Sequence, residues 1–261
     1  MSPNIYIDPE HGVLTVRDQA GERSFSFSDP EAFALLSELW LRCGFDNKYV
    51  YGFTWLGRPV LQLPEDLLRI QEVVYALQPD WIVETGVAHG GSLIFYASLC
   101  EAIGKGRVVG IDVEIRQQNR AAIESHRLGK RVHLIEGNSI EPDTVAKVTG
   151  LVGDAEVVLV VLDSKHTKHH VLQEMEAYGP LVSENSYLVV ADGIMAQVAS
   201  SPLAGADWLW NNPLAAINEY LSKHPEFRLE EPAFPFNEGA ITRRVTYWPM
   251  GFLKKRPSGG G

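Results

Sequence analysis

The chain has 261 residues, 45% of them apolar, and a net charge of -10 from 23 basic and 33 acidic side chains. This composition excludes a disordered chain, and its sign argues against nonspecific nucleic-acid binding, which needs a basic surface. No apolar run approaches the roughly 18 residues of a membrane span, and the first residues lack a basic or apolar leader, so a cytoplasmic protein without a membrane partner is expected.

The two cysteines, Cys43 and Cys100, cannot build a disulfide framework or a structural zinc site. Both sit in apolar helical patterns and are expected as buried free thiols, consistent with a reducing compartment.

Residues 5–7 and 13–16 flank Asp8-Pro9-Glu10-His11-Gly12, which predicts a hairpin. Asp29 is a candidate N-cap with Pro30 in the first helical turn, and apolar residues at helical spacing continue to Cys43. Residues 44–65, rich in Gly, Pro and aromatics, read as a loop. Beyond Asp66 helices and strands alternate. Helices are predicted at 66–77, 91–103, 115–128, 141–149 and 168–178. Strands are predicted at 81–83, 108–111, 132–135, 157–162 and 187–190, as near-continuous apolar runs covered on both faces. An irregular stretch 193–212, a helix 213–223 and strands near 227–230 and 244–252 complete the pattern. The expectation is an α/β doubly wound domain over residues 66–256, an N-terminal cap over 1–65 and a frayed tail at 257–261.

Ligands of open α/β sheets bind beyond the carboxyl ends of the strands. Glu84-Thr85-Gly86-Val87-Ala88-His89-Gly90-Gly91-Ser92 follows the first central strand. Its acid-x-Gly-x-x-x-Gly spacing is not the dinucleotide fingerprint but the pattern of S-adenosylmethionine methyltransferases. A plain glycine turn is the competing reading. Asp112 ends the second strand, where an acid can accept hydrogen bonds from both ribose hydroxyls, or can simply cap a helix. Asn138 and Ser139, after the third strand, suit an adenine edge and equally suit turn chemistry. Asp163 and Asp192 end two adjacent parallel strands, so two carboxylates face one pocket, an arrangement that favours a divalent cation such as Mg²⁺ between them. His166, three residues beyond Asp163, is placed to act as general base. His169 and His170 lie on the next helix, one expected towards solvent and one packed.

Several motifs carry a family resemblance. Trp55-Leu56-Gly57-Arg58-Pro59, Asp66 with Gln71-Glu72, and Gln78-Pro79-Asp80-Trp81-Ile82-Val83-Glu84-Thr85-Gly86 occur in order. Asp163-Ser164-x-His166-Thr167, His170-Val171-Leu172, Tyr178-x-Pro180-Leu181-Val182 and Gly251-Phe252-Leu253-Lys254 follow. Together they resemble the cephalosporin hydroxylase family, whose members look like S-adenosylmethionine-dependent O-methyltransferases of natural-product and sugar hydroxyls. The resemblance spans roughly residues 45–256. It implies a class I methyltransferase (Rossmann-like) fold with a seven-stranded sheet whose last strand is antiparallel. It also implies that Glu84, Gly86 and Gly90 hold the cofactor's methionine end and Asp112 its ribose; Ser92, on the same loop, is a further cofactor-binding candidate. Asp163 and Asp192 would hold magnesium. The chain departs from the family at the fifth strand, where Ala191-Asp192 stands for Glu-Asp. Against the catechol-type Ala-Asp-Asn, Gly193 replaces Asn. Either way one ligand is missing.

The expected reaction is methyl transfer from S-adenosylmethionine to the hydroxyl of a small-molecule acceptor, with Trp208, Trp210 and the aromatics of 45–55 shaping the acceptor pocket. A metal-independent O-methyltransferase using His166, a noncatalytic binding subunit and a nicotinamide-dependent oxidoreductase are the alternatives. The N-terminal hairpin and helix are candidates for a homo-oligomer contact.

Overall fold

Central strands that are near-continuous runs of apolar residues dictate a sheet covered on both faces. The computed structural model, which describes residues 4–258, has this sheet. Its strands are β6 (Trp81–Thr85), β7 (Arg107–Asp112), β8 (Val132–Glu136), β9 (Val158–Leu162), β10 (Tyr187–Val190), β11 (Phe227–Leu229) and β12 (Phe252–Lys255). They lie in the order β11-β12-β10-β9-β6-β7-β8. Strands β8, β7, β6, β9 and β10 are mutually parallel, and β12 pairs antiparallel with both β10 and β11. This is the class I methyltransferase topology expected above.

The pleat sorts the core. Ile82, Val108, Leu159, Val161 and Val189 face α2 (Pro64–Leu77) and α3 (Gly91–Ile103), packing with Ile70, Val73, Leu93 and Phe95. Val83, Val109, Val160 and Leu188 face α5 (Pro142–Val152), α6 (Lys168–Tyr178) and α7 (Pro213–Lys223), packing with Val148, Met175, Tyr178 and Ile217. Each such side chain contributes about 1.5–3 kcal/mol relative to leaving it in water.

The N-terminal region holds more structure than its sequence suggests. The expected hairpin, β1 (Asn4–Asp8) and β2 (Val13–Asp18), is joined by a third antiparallel strand, β3 (Gly21–Ser26). β3 is polar and almost wholly exposed, so it lacks apolar alternation. Helix α1 (Pro30–Asp46) starts after Asp29 as expected. The Asp29 carboxylate, however, accepts from the Ser26 backbone N–H at 2.8 Å and makes no bond to the helix. Residues 44–65 are not a loop. They carry a 3-10 turn at Tyr49–Gly52 and a short hairpin, β4 (Phe53–Trp55) and β5 (Arg58–Val60), closed by Leu56 and Gly57 at positive φ. Helix α4 is shorter than expected, Gln117–Glu124, because the chain breaks into a turn ending in a 3-10 segment at Gly129–Arg131.

The last strand is confined to 252–255, since Thr246 and Tyr247 hydrogen-bond to Asp66 rather than to a neighbouring strand. Cys100 is buried but Cys43 is exposed, on the outer side of α1. Of the expected tail, 259–261 lie outside the described residues. No helix among the described residues is long and apolar enough to cross a membrane.

Candidate active site

Two cavities open at the carboxyl edge of the parallel strands. One, of about 580 Å³, lies over β7 and β8 and is lined by Asp112, Asn138, Ser139, His170 and Gln173. The other, of about 500 Å³, lies between the N-terminal region and the ends of β9 and β10, and is lined by Phe45, Tyr51, Gln62, Trp208 and Tyr247. The two share Gly86, Ala88, Asp163 and Ser164. A molecule in the first can therefore present a group to a molecule in the second across Asp163.

The loop after β6 forms the partition. Gly86 has φ +97°, and a Cβ there would lie 2.1 Å from the Asp163 carbonyl oxygen. Glycine is thus required by the close passage of β9's end as well as by the backbone conformation. Gly90, at φ +79°, packs against Ile123, where a Cβ would meet Cδ1 at 2.3 Å. It lines neither cavity. Arg58 Nε donates to the His89 carbonyl at 3.0 Å and Asn119 Nδ2 to the Ala88 carbonyl at 2.8 Å, so two side chains fix the loop.

The remaining cofactor candidates divide. Asp112 Oδ2 accepts from the backbone N–H of Val87 (2.9 Å) and Ala88 (3.2 Å), holding the loop while its carboxylate lines the first cavity. Glu84 is fully buried and accepts from Ser92 Oγ at 2.7 Å. Burial, with Asp163 nearby, pushes its carboxyl well above the usual range, and it sits behind the loop. It lines neither cavity, whereas Ser92 lines the second. Asn138 does turn chemistry, its Oδ1 accepting from Ile140 N at 3.4 Å, and lines the first cavity. Ser139 lines it too, but its Oγ donates to Glu174 at 2.6 Å.

Glu174, unforeseen from the sequence, is a buried hub on α6 that also receives Ser164 Oγ at 2.6 Å and lies 3.4 Å from His170. It ties the ends of β8 and β9 to α6. His169 is exposed and His170 packed, as expected.

At the junction, β9 and β10 deliver Asp163 and Asp192 from neighbouring parallel strands. Asp192 sits in the left-handed region at φ +56°, a strained conformation for a residue with a side chain. His166 Nε2 is 3.3 Å from Asp192 Oδ2 and 3.9 Å from Asp163 Oδ1. One candidate ligand atom from each of Asp163, His166 and Asp192 lies within 4.8 Å of the others. Burial, then the Asp192 charge, raises the Asp163 carboxyl to about 7. Such a donor set fits a hard divalent cation, which would relieve the repulsion of two carboxylates.

The expected third ligand position offers nothing. Ala191 is fully buried in the core, and a Cβ at Gly193 would meet the Pro249 carbonyl at 2.7 Å. Gln62, missed because residues 44–65 read as loop, donates from Nε2 to Asp163 Oδ2 at 2.9 Å. The aromatic wall is narrower than expected. Phe45, Tyr51 and Trp208 line the second cavity, but Trp210 is 67% exposed and lines neither.

The profile of the family described as rhamnosyl O-methyltransferase/CmcI matches residues 47–256. A rhamnosyl O-methyltransferase of Mycobacterium leprae is 29% identical over 187 residues, 69% of this chain and 77% of that protein. One of Mycobacterium tuberculosis is 29% identical over 154 residues, 56% of this chain and 61% of that protein. Among solved structures, CmcI with magnesium and S-adenosylmethionine superposes with TM-score 0.54 at 18% identity, covering 79% of this chain and 78% of that one. The methyltransferase MycE of mycinamycin biosynthesis, with magnesium and S-adenosylhomocysteine, superposes with TM-score 0.51 at 18% identity, covering 85% of this chain and 54% of that one. At such identities these likenesses are of fold. With the profile spanning most of its length, the chain belongs to the rhamnosyl O-methyltransferase/CmcI family of S-adenosylmethionine-dependent O-methyltransferases.

Proposed function

We propose that the chain moves the methyl group of S-adenosylmethionine to a hydroxyl of a sugar or sugar-bearing natural product, with His166 as base beside a magnesium site at Asp163 and Asp192. The observation that carries this reading is the cluster of Asp163, His166 and Asp192 at the junction of two cavities.

The first cavity suits the cofactor, with Asp112 towards the ribose, Asn138 and Ser139 towards the adenine and the Gly86 loop towards the methionine end. The second suits the acceptor, and its aromatic wall of Phe45, Tyr51 and Trp208 suits a sugar face. The rhamnosyl acceptors named for the mycobacterial relatives support a rhamnose-bearing substrate. In the reaction the acceptor oxygen attacks the methyl carbon in line with the sulfonium sulfur. A C–O bond forms as the C–S bond breaks, the electron pair returns to sulfur and the hydroxyl proton passes to His166. Asp163 and Asp192 would hold magnesium, which when bound would supply acidification of the acceptor hydroxyl. Holding both partners in line can supply about 7–11 kcal/mol of the barrier in well-oriented systems.

Residues 1–65 form the acceptor-side cap and 66–256 the methyltransferase domain, with 257–261 a tail beyond them. The exposed Cys43 thiol supports a reducing, cytoplasmic location. Phe33 and Trp40, exposed on α1, support a homo-oligomer.

His166→Ala should lower kcat by about 10²–10⁴-fold while leaving cofactor affinity near wild type. Calorimetric titration with S-adenosylhomocysteine beside steady-state kinetics reads both. Near-normal turnover in this variant overturns the base assignment.

A further inference from the structure

We infer that Gln62 is the missing oxygen donor of the cation site, doing from the N-terminal region what neither position 191 nor 193 does from the end of β10. The inference rests on the proposed cation at Asp163 and Asp192.

Three observations carry it. Gln62 is 4% exposed and lines the second cavity beside Asp163. Its Oε1 is buried without a hydrogen-bond partner, so the burial of this amide is not explained by packing alone. Its other amide atom lies 2.9 Å from Asp163 Oδ2. Oxygens on adjacent corners of an octahedron with metal–oxygen bonds near 2.1 Å are themselves about 3.0 Å apart. The amide and the carboxylate are therefore spaced as two neighbouring ligands of one Mg²⁺.

A glutamine amide presents either end by rotating about its last bond, and the partner decides which. Facing a bare carboxylate, Gln62 turns its NH₂ to Asp163. Facing a carboxylate that holds a cation, it turns its oxygen. The neutral donor also fits the electrostatics, since Asp163 already faces the Asp192 charge and a third carboxylate in the cavity would add repulsion while no cation is bound. His166 is the competing third donor by proximity. Mg²⁺ prefers oxygen, and an imidazole that must take a proton has to keep its nitrogen free.

The test is Mn²⁺ binding to the full chain saturated with S-adenosylhomocysteine, read by calorimetry and by the Mn²⁺ paramagnetic resonance signal. The variants are Gln62→Met, Gln62→Glu and His166→Ala, and S-adenosylhomocysteine affinity reports that each is folded. Gln62→Met should weaken Mn²⁺ binding at least tenfold, His166→Ala should leave it within about twofold, and Gln62→Glu should bind as tightly as wild type or tighter. A Gln62→Glu variant that binds Mn²⁺ more weakly than wild type shows that an oxygen at this position does not reach the cation. That outcome overturns the inference and leaves the cation site standing, as does unchanged binding by Gln62→Met. Absence of Mn²⁺ binding by the wild-type chain overturns both.

Discussion

Asp66 shows how one buried acid can serve the site without touching it. It accepts from the Thr246 hydroxyl and from the Tyr247 backbone N–H at 2.8 Å, fastening the segment before β12 to the start of α2. Tyr247 then lines the second cavity. Burial pushes the Asp66 carboxyl up to about 8, against an ordinary value of 3.8. The folded state therefore binds a proton that the unfolded chain has released, and stability falls as pH rises from about 4 to about 8, then levels. Asp66→Asn should flatten that slope, and thermal midpoints between about pH 5 and pH 9 read the effect. A slope unchanged in the variant would assign it to other groups. Asp112 holds the loop and lines the first cavity, the one proposed for the cofactor. Asp112→Ala should weaken S-adenosylhomocysteine binding by about 1.5–3 kcal/mol, measured by calorimetry. Unaltered affinity would remove it from the cofactor site.

Among elements, the loop between β6 and α3 is held from outside itself. Arg58, from the β4–β5 hairpin, and Asn119, from α4, secure the carbonyls of His89 and Ala88. Arg58→Ala should raise the dissociation constant for S-adenosylhomocysteine about tenfold and speed amide exchange over residues 86–91, the cost being near one charged hydrogen bond. Exchange indistinguishable from wild type would show that the loop is rigid without the clamp.

The parallel strands were legible because their buried runs need no partner to be recognised, and Asp112, Asp163 and Asp192 followed from strand ends alone. The site's lesser-known members were not. Gln62 sits between Leu61 and Leu63 just before Pro64, and that polar residue in an apolar setting is the only local signal it offers. Glu174 reads as an ordinary helix acid, since its partners Ser139 and Ser164 come from two other strand ends. Cys43 is exposed where its sequence predicts burial because α1 carries apolar residues on its exposed side as well, Phe33, Leu39 and Trp40 among them.

At the scale of the molecule, the two cavities have different owners. The sheet and its strand-end loops line the one assigned to the cofactor, while much of the acceptor cavity comes from residues 45–62 and from Leu203, Trp208 and Tyr247. Substrate choice is then set by segments that the central sheet does not constrain. Tyr51→Ala should raise the acceptor KM several-fold with little change in cofactor affinity. Equal losses for both would merge the two sites. The central claim is cation-assisted methyl transfer to a sugar hydroxyl. Incubating the full chain with methyl-labelled S-adenosylmethionine and a rhamnoside acceptor, with magnesium or with chelator, tests it most directly. The account predicts a labelled methyl ether on a rhamnose hydroxyl with magnesium, and its loss with chelator and in Asp163→Asn. Label on no sugar hydroxyl, or transfer undiminished by chelator, would contradict it.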